Sequence, residues 1–541
     1  MFFTTDEKRH VYEALTRHNY FPNQKEGTGE LPPCFSSVSF TPEIAELLAE
    51  IKEPKDSERR ALGYDQVSYS VTRHNNVPRT LCLIHPKAYS NLAVTIYENW
   101  EEIRKISENK HSLIKPYLHA DGRIIVMNYE DLTEKVQRNQ IDGFGKRFRV
   151  NADIASCFHS IYTHSIPWAV LGFDKAKNKL ANNEGDKHWS ELLDTFQRKS
   201  KRKETQGIAI GPGTSSVIVE LVLGAVDAHL SEKAFVFRRY IDDYICFCET
   251  YEKAQEFIRV LGKELSVFKL NINLHKTNIA ELPEPASSEW VSELMGALPT
   301  GHHDGELTSR KFTLTEIIHY LDTAVRLNKA SPDGSVIKYA ISSLLRYVEE
   351  HHINAVLGYV MNLAWHYPVL IPFLNSLMDK EGVEPSDYQS QLNAIVIENA
   401  KNGRSEGMAW PLFLMKKHGL KVGENAFLET LNSKDCIAIL CLYALNAQND
   451  LIVGFAEELK SKSLYEKDQY WLLLYQLYKD GHIADPYEDG VFDALKENDV
   501  CFMPEENHYS LAQRYCDHIN NPFIEEKEKV LSFADWKVTL T

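Results

Sequence analysis

The chain lacks several features that would place a protein in a class at once. Among its 541 residues there is no run of about eighteen uncharged apolar residues, so no membrane span or membrane partner is expected. The first ten residues lack the apolar core of a signal peptide. Nine cysteines are scattered without CxxC spacing, which predicts reduced thiols and neither a disulfide framework nor a zinc site. Together these absences predict a cytoplasmic protein.

Positive charge is also scarce. The chain has 60 Lys and Arg residues against 76 Asp and Glu residues, a formal net charge of −16. Nucleic-acid-binding proteins usually show the opposite balance, because phosphate contacts need Lys and Arg. Basic clusters do occur at 146–149 and 198–203, so a local groove for nucleic acid is compatible with the acidic total. A solvated loop explains the second cluster equally well.

The most informative stretch that is present runs from Arg239 to Cys248. Its flanks are rich in β-branched and aromatic residues, as strands are. Between them, Asp242 and Asp243 would repel each other in a strand interior, but they suit a tight turn. The pattern predicts a β-hairpin that presents two carboxylates, and carboxylate oxygens are ligands that Mg²⁺ prefers. For an Asp pair taken alone, a solvated turn is the alternative.

Three other blocks accompany this hairpin. Asp153 ends a short apolar strand, and Phe158 follows five residues later. A two-metal site needs carboxylates from two separate elements, and Asp153 would supply the second one. A Gly-rich loop at 207–216 leads into an apolar, helix-like segment, so its backbone can approach a nucleotide closely. Lys276 lies downstream of the Asp pair.

The four blocks follow the order and rough spacing of the palm of a reverse transcriptase, and the chain resembles that family over about residues 60–290. The segment Tyr240–Asp243 resembles the family's Tyr-x-Asp-Asp signature. Asp153 and Ile154, with Phe158, resemble its first metal motif. The resemblance implies a nucleotidyltransferase that works with two Mg²⁺ ions, for which Mn²⁺ can substitute.

Within the family, the chain is most similar to the bacterial abortive-infection (Abi) and related defence-associated reverse transcriptases. Segments 160–168 and 207–215 carry this likeness, together with a long helical C-terminal half. One departure concerns the Gly-rich loop. Where retroviral, group II intron and retron enzymes usually carry Pro-Gln-Gly, this chain has Ala209-Ile210-Gly211, which fits the defence subgroup better than retroviral-style copying.

The resemblance implies an α+β fold, with reverse-transcriptase fingers and palm followed by an all-α, HEAT-like helical-repeat domain. Apolar residues recur at helical spacing throughout the C-terminal half, as expected for paired helices. Such helices expose large faces, so we expect a homo-oligomer. The predicted parts are an N-terminal helical segment (1–60), a fingers-like region (61–150), the palm (151–300) and the helical thumb or assembly domain (301–541).

The resemblance also implies roles for individual residues. The implied metal site comprises Asp153, Ile154, Asp242 and Asp243. Lys276 would act as the general acid for the leaving group, with an exposed structural Lys as the alternative. Phe158 would exclude the 2′-hydroxyl of a ribonucleotide, with a core Phe as the alternative. The remaining residues assigned to nucleotide binding are Gly211, Tyr240, Lys115 and Arg123. For the last two, surface salt bridges are the alternative.

The function implied is synthesis of DNA from dNTPs in anti-phage abortive-infection defence. Two routes stay open at this point. Some relatives prime from a protein hydroxyl without a conventional template, which leaves the DNA product covalently attached, whereas others use a bound non-coding RNA. The rival from another class is a non-catalytic, RNA-binding helical scaffold, and the intact set of three aspartates argues against it.

Overall fold

The computed structural model describes most of the chain, and every structural statement below concerns this part. The described residues are 5–22, 30–53, 57–73, 78–116, 123, 132–182, 187–285, 287–299, 312–331 and 335–504. The domain boundary predicted at 300/301 lies outside the described residues, and the other predicted boundaries stay predictions.

Helices dominate the described residues. In the first part they are α1 (Thr5–Glu13), α2 (Pro42–Glu50), α3 (Glu58–Leu62), α4 (Pro86–Glu98), α5 (Trp100–Ile103), α6 (Leu132–Gly143), α7 (Cys157–Ser160), α8 (Ser165–Leu171), α9 (Phe173–Asn182), α10 (Trp189–Lys199), α11 (Gly213–Glu232), α12 (Tyr251–Val267) and α13 (Glu289–Ala297). The second part contains α14 (Leu314–Ala330), α15 (Ser335–Leu344), α16 (Ile353–His366), α17 (Phe373–Met378), α18 (Gln389–Lys401), α19 (Ser405–Lys417), α20 (Glu424–Ser433), α21 (Cys436–Ala444), α22 (Asn449–Lys460), α23 (Leu464–Asp468), α24 (Trp471–Lys479) and α25 (Val491–Glu497). The strands are β1 (Gln66–Thr72), β2 (Pro78–Ile84), β3 (Phe148–Asp153), β4 (Val236–Tyr240), β5 (Asp243–Cys248) and β6 (Asn278–Glu281). The mixture of helix and sheet confirms the predicted α+β class at this level.

Four antiparallel strands form the sheet that carries the candidate site. Their order is β4-β5-β3-β6, so β5 and β3 lie at its centre. β3 pairs with β5 from Phe148 opposite Cys248 to Asp153 opposite Asp243. The end of β3 therefore lies beside the start of β5. Both the strand predicted before Asp153 and the hairpin predicted around the Asp pair are confirmed.

Helix α12 packs against the two central strands of this sheet. Its buried residues are Ala254, Phe257, Leu261 and Leu265, three or four positions apart, so they form one apolar stripe. The side chain of Thr250 accepts a hydrogen bond from a backbone N–H in the first turn and caps the helix. The sequence thus encodes both where α12 begins and which side it buries.

Helix α11 follows the Gly-rich loop, as predicted. By length and composition alone it is the one helix among the described residues that could cross a membrane, with a mean hydropathy of 1.3 in its apolar window. About two thirds of that window is buried inside the protein. It also carries two buried acidic residues, Glu220 and Asp227. These features are those of a core helix.

The strands β1 and β2 form a separate antiparallel pair that packs against the helical half. The backbone N–H groups of Ser70 and Thr72 donate to the side chains of Ser405 and Glu406 at the start of α19, at 2.8 and 3.0 Å. Burial raises the pKa of Glu406 to about 8. Because β1 completes its hydrogen bonds on α19, the fingers-like region and the helical half support each other.

A buried ion pair reinforces this contact. The guanidinium of Arg59 donates to both carboxylate oxygens of Asp468, with its Nη2 at 2.7 Å from Oδ1. The backbone N–H of Asp65 donates to the same carboxylate at 2.9 Å. The Asp468 side chain is fully buried and that of Arg59 nearly so. A charge buried this deeply is tolerated only with its partner in place.

The helical half consists of short helices that pack on their neighbours in the chain, such as α14 with α15 and α18 with α19. The helical periodicity in the sequence around 316–325, 341–348 and 354–364 corresponds to α14, to the end of α15 with the short 3-10 turn that follows it, and to α16. Helices predicted from periodicity are therefore confirmed here. A HEAT-like repeat stays a prediction.

We predict that Asp468→Ala lowers the free energy of unfolding by about 3–5 kcal/mol, because it leaves the Arg59 charge buried and unpaired. The urea midpoint of the full chain measures this loss. The control is Glu256→Ala, which breaks the exposed Lys253–Glu256 pair and should leave the urea midpoint nearly unchanged, because exposed ion pairs contribute little to stability. Equal midpoints for the two variants would contradict a supporting role for the buried pair.

Candidate polymerase active site

The hairpin β4–β5 places two of the predicted carboxylates. Ile241 and Asp242 form its turn, and Asp243 is the first residue of β5, paired with Tyr240. Ile241 has φ of 57°, a left-handed conformation that is rare for a β-branched residue. Such backbone strain persists only where the surroundings hold it, and it is common at functional sites. We therefore infer that the surrounding structure holds the turn in this conformation.

The third carboxylate comes from the neighbouring strand. Asp153 ends β3 directly opposite Asp243, and its side chain is 10% exposed. The backbone N–H of Ile154 donates to the carbonyl of Asp242 at 3.1 Å, which ties the end of β3 to the turn. The structure thus brings Asp153, Asp242 and Asp243 together at one end of the sheet, whereas 89 residues separate the first two in the chain.

The electrostatics of these aspartates reflect their crowding. Asp243 keeps solvent access on one side, yet partial burial and the carboxylates of Asp242 and Asp153 raise its pKa to about 6. Burial, with a further contribution from Asp153, also raises the pKa of Asp242. Three acidic side chains at one sheet end are an oxygen-rich, negatively charged donor set. Its chemistry fits hard divalent cations such as Mg²⁺, whose binding would relieve the repulsion.

Asp153 is already bonded on both of its carboxylate oxygens. Asn273 donates its side-chain N–H to Oδ1 at 2.9 Å, and the ammonium of Lys276 donates to Oδ2 at 2.9 Å. As the side chains stand, no three His, Cys, Asp or Glu residues among those described converge closely enough to hold a metal ion. The structure thus places Lys276, which was predicted as a site residue, in contact with Asp153. Asn273 was not predicted from the sequence.

A second group missed from the sequence lies beneath the turn. The guanidinium of Arg239 has no solvent exposure and pairs with Glu220 and Asp227 of α11, each at 2.8 Å. Its Nη1 also donates to the carbonyl of Ile241 at 2.9 Å, and the hydroxyl of Tyr244 donates to Asp227 at 2.9 Å. The signal in the sequence was an Arg beside the Asp pair and two acids in an apolar helix.

Phe158 lies beside the hairpin turn. It is 8% exposed, and its backbone carbonyl accepts a hydrogen bond from Ile208 at 2.9 Å. Its side chain lines a small cavity that is also lined by Lys115, Ser216 and Ile241. Phe158 is thus buried on most sides, yet it faces a cavity next to the aspartates, so the gate and the core interpretations are both compatible with its position.

The positively charged candidates occupy different places. The Lys115 ammonium lies at the same cavity and donates to the carbonyl of Asn109 at 3.2 Å. Arg123 is 7% exposed and is not among the residues that line that cavity. Arg79 on β2, in contrast, lies close enough to Asp242 for their charges to interact. Arg79 was not selected from the sequence.

The Gly-rich loop packs tightly within the fold. The carbonyl of Ile210 accepts a hydrogen bond from the backbone of Cys82 in β2 at 2.9 Å. Gly211 has φ of 121°, and a Cβ there would lie 2.6 Å from Cγ of Pro22. Packing against Pro22 therefore explains the glycine at 211 without a nucleotide. Its assignment to nucleotide binding stays a prediction, as does that of Tyr240, which ends β4.

The two basic clusters are largely neutralised by acidic partners within the chain. Their ion pairs are Lys146–Glu249 (2.7 Å), Arg149–Glu284 (2.6 Å), Arg198–Asp194 (3.2 Å), Lys199–Glu53 (2.7 Å), Lys201–Glu204 (3.3 Å) and Arg202–Asp65 (2.6 Å). Side chains engaged in this way have less charge to offer to phosphates. These clusters therefore act in part as structural ion pairs.

Comparison with known families adds to this geometry. Residues 99–321 match the family described as reverse transcriptase (RNA-dependent DNA polymerase). The chain therefore contains a reverse transcriptase domain, which confirms the predicted family at that level and implies a nucleotidyltransferase that binds nucleic acid. The described elements from α5 to α14 lie within or overlap the matched range. No curated protein matches the chain.

Among solved structures, the chain is similar to telomerases from two Candida species. The structure of the Candida albicans enzyme with a TWJ fragment of telomeric RNA matches at 10% identity with a TM-score of 0.29, over 66% of each chain. Apo telomerase from Candida tropicalis matches at 11% identity with a TM-score of 0.30, over 79% of this chain and 76% of that one. The chain thus spans about two thirds of the length of the first of these, and TM-scores this low carry no argument about function.

We predict that Asp243→Asn stabilises the metal-free protein above pH 6. The pKa of Asp243 is raised in the folded state, so wild type loses stability as pH rises from about 4 to about 6, whereas Asn does not titrate. The gain should stay below about 1 kcal/mol, because solvent screens this exposed position.

Urea midpoints in EDTA at pH 4.5, 6 and 8 measure the difference. Glu497→Gln, at an exposed position in the helical half, controls for the loss of one negative charge. A variant less stable than wild type at pH 8 would show that Asp243 contributes to folding in its ionised form.

Proposed function

We propose that this protein is a divalent-metal-dependent DNA polymerase of reverse-transcriptase type that uses dNTPs in bacterial anti-phage defence. One observation carries the catalytic part: Asp153, Asp242 and Asp243, from two separate elements, meet at one end of an antiparallel sheet within a reverse transcriptase domain. The strained turn at Ile241 and the raised pKa of Asp243 support it, because both are typical of functional sites.

Two Mg²⁺ ions are the proposed cofactors, with Mn²⁺ as a substitute. Asp153, Asp242 and Asp243 would hold them, and Ile154 belongs to the same site by resemblance. When bound, such ions activate the attacking hydroxyl and neutralise the triphosphate and the leaving group. The chain's own residues then determine the position of the substrate and the transfer of protons.

Two cations are candidates for contacts with the triphosphate and the leaving group. Lys276 lies on Asp153 and is 67% exposed, so it can reach outward toward the leaving group as a general acid. Arg79 on β2 lies within electrostatic range of Asp242 and pairs with Glu30 at 4.0 Å, and we propose it as a triphosphate contact. Lys115 would lie nearer the sugar, because it shares a cavity with Phe158.

Untemplated, protein-primed synthesis is the route we favour. It is supported by the apolar, buried Ala209 and Ile210 in the Gly-rich loop, where templated enzymes usually carry Pro-Gln-Gly. Templating by a non-coding RNA is the alternative. Purified protein distinguishes them: attached DNA that only protease releases indicates protein priming, whereas copurifying RNA needed for incorporation indicates a template. We also propose a homo-oligomer, supported by exposed apolar residues on the helical half, including Trp365, Leu428 and Leu451.

We predict that Asp153→Asn and Asp242→Asn each reduce incorporation of labelled dNTP to below about 1% of wild type, because each removes a metal ligand. The full chain is assayed with Mg²⁺, and the free energy of unfolding of both variants, from urea titration, should stay within about 1 kcal/mol of wild type. The control is Glu249→Gln, at an exposed acid just beyond the far end of β5. Full incorporation by both aspartate variants would overturn the polymerase assignment.

We predict that Phe158→Val raises the ratio of kcat/KM for ribonucleotides over that for deoxynucleotides by roughly 10- to 100-fold, because a smaller side chain admits the 2′-hydroxyl. The ratio is measured within one preparation, so a fall in the folded fraction does not change it. Phe257→Val, a fully buried Phe under the sheet, is the control and should leave the ratio unchanged. An unchanged ratio in Phe158→Val would make Phe158 a core residue.

A further inference from the structure

A single loop supplies both side chains that bond the carboxylate of Asp153. Between α12 and β6, the segment around 271–277 runs alongside the end of β3. The backbone N–H of Asn273 donates to the carbonyl of Asp153 at 2.7 Å, and the N–H of Ala155 donates to the carbonyl of Asn271 at 2.9 Å. This short stretch of strand-like pairing fixes the loop to the residues on both sides of Ile154. This backbone pairing places the side chains of Asn273 and Lys276 next to Asp153.

The two side chains on Asp153 differ in how firmly they are held. Asn273 is anchored through its own backbone, and its carbonyl also accepts from the hydroxyl of Thr277 at 2.8 Å. Lys276 reaches Asp153 only through its long side chain, which is 67% exposed. The amide of Asn273 bonds Oδ1 of Asp153 and leaves Oδ2 available for a cation. The ammonium of Lys276 lies on Oδ2, so it occupies the place that a cation would take.

We propose that Asn273 is a positioning residue for Asp153, and that Lys276 occupies the cation position on Asp153 in the metal-free protein. The inference rests on the proposed function, since it concerns binding of the same divalent ions. Lys276 would give up its bond to Oδ2 of Asp153 when a divalent cation is held there, and its freed ammonium would then turn outward toward the substrate. Asn273 keeps its bond to Oδ1 throughout and prevents the carboxylate from turning away.

Asn273 and Lys276 would therefore affect metal affinity in opposite directions, although they lie in one loop. Removing Lys276 removes a competitor, and an exposed ion pair of this kind is weak, so Mn²⁺ should bind about 2- to 5-fold more tightly. Removing the amide of Asn273 frees the carboxylate to rotate, and loss of a group that orients a metal ligand typically weakens binding by roughly 10-fold or more. A purely structural loop would weaken binding in both cases.

The experiment measures Mn²⁺ binding to the metal-free full chain, without nucleotide, by electron paramagnetic resonance of the free ion. Lys276→Met and Asn273→Ala are compared with wild type. Lys269→Met is the matched control, because it removes one positive charge from an exposed residue just before the loop. It should change the dissociation constant less than about 2-fold, since distant exposed charges are screened. Asn273→Ser, which keeps a short donor, should fall between wild type and Asn273→Ala.

The outcomes separate this inference from the proposed function. Tighter binding in Lys276→Met with weaker binding in Asn273→Ala supports it. Unchanged or weaker binding in Lys276→Met, or equal tightening in Lys269→Met, overturns the competing role of Lys276. Unchanged binding in Asn273→Ala with a wild-type urea midpoint overturns the positioning role. In these cases the proposed function stands if wild type still incorporates dNTP, and it fails if Asp153→Asn incorporates as well as wild type.

Discussion

The buried guanidinium of Arg239 is the interaction on which the candidate site depends. Through its side chain and its backbone, Arg239 joins three parts of the chain: α11, the hairpin turn and the segment around Ser112. On one side it binds Glu220 and Asp227 of α11, and on the other its Nη1 bonds the carbonyl of Ile241 in the strained turn. The backbone of Arg239 also pairs with the segment around Ser112, which lies alongside β4. The ion pairs of Arg239 with α11 and the backbone hydrogen bonds of β4 with the segment around Ser112 thus fix the position of the turn.

This arrangement explains how a left-handed Ile can persist at the turn. A buried Arg with two carboxylates leaves one negative charge in excess, and the hydroxyl of Tyr244 and the amide of Asn109 donate to Asp227 to compensate it. Losing any one partner would leave a charge buried in a low-dielectric region, which is costly. The turn is therefore held in place by a network that forms only when α11, β4 and β5 are all in position. Folding of the site and packing of α11 are in this sense a single event.

Local patterns made part of this architecture predictable. The Asp pair between two apolar, aromatic segments indicated a hairpin, and helical periodicity indicated α14 and α16, because both patterns depend on neighbours in the chain. The apolar run after the Gly-rich loop indicated α11. The juxtaposition of Asp153 with the hairpin needed the family resemblance, since register between distant strands is not local. Arg239 illustrates the limit. Its partners are two acids in an otherwise apolar helix, and only the tertiary fold shows that Glu220 and Asp227 face it.

Asn273 and the contact between β1 and α19 were out of reach for the same reason. Asn273 reaches Asp153 because the backbones of two distant segments pair, and β1 meets α19 through backbone N–H groups that donate to side chains. A backbone N–H leaves no trace in composition. The bond from Ser70 to Ser405 joins residues 335 positions apart, so no window of sequence contains both. The basic clusters at 146–149 and 198–203 gave a signal that was visible but ambiguous. The structure shows that most of their charges already have acidic partners.

This pairing bears on the kind of substrate that an acidic polymerase can hold. The chain has a net charge of −16, and in the two basic clusters of the described residues most charges are paired with acids of the same chain. Long polyanions are bound through many phosphate contacts, and that binding weakens steeply with salt. At the aspartates, by contrast, Lys276 contacts Asp153 directly, and Arg79 lies within electrostatic range of Asp242. This layout supports the proposed use of a triphosphate with a primer that is short or attached to protein, rather than of a long duplex held along the surface.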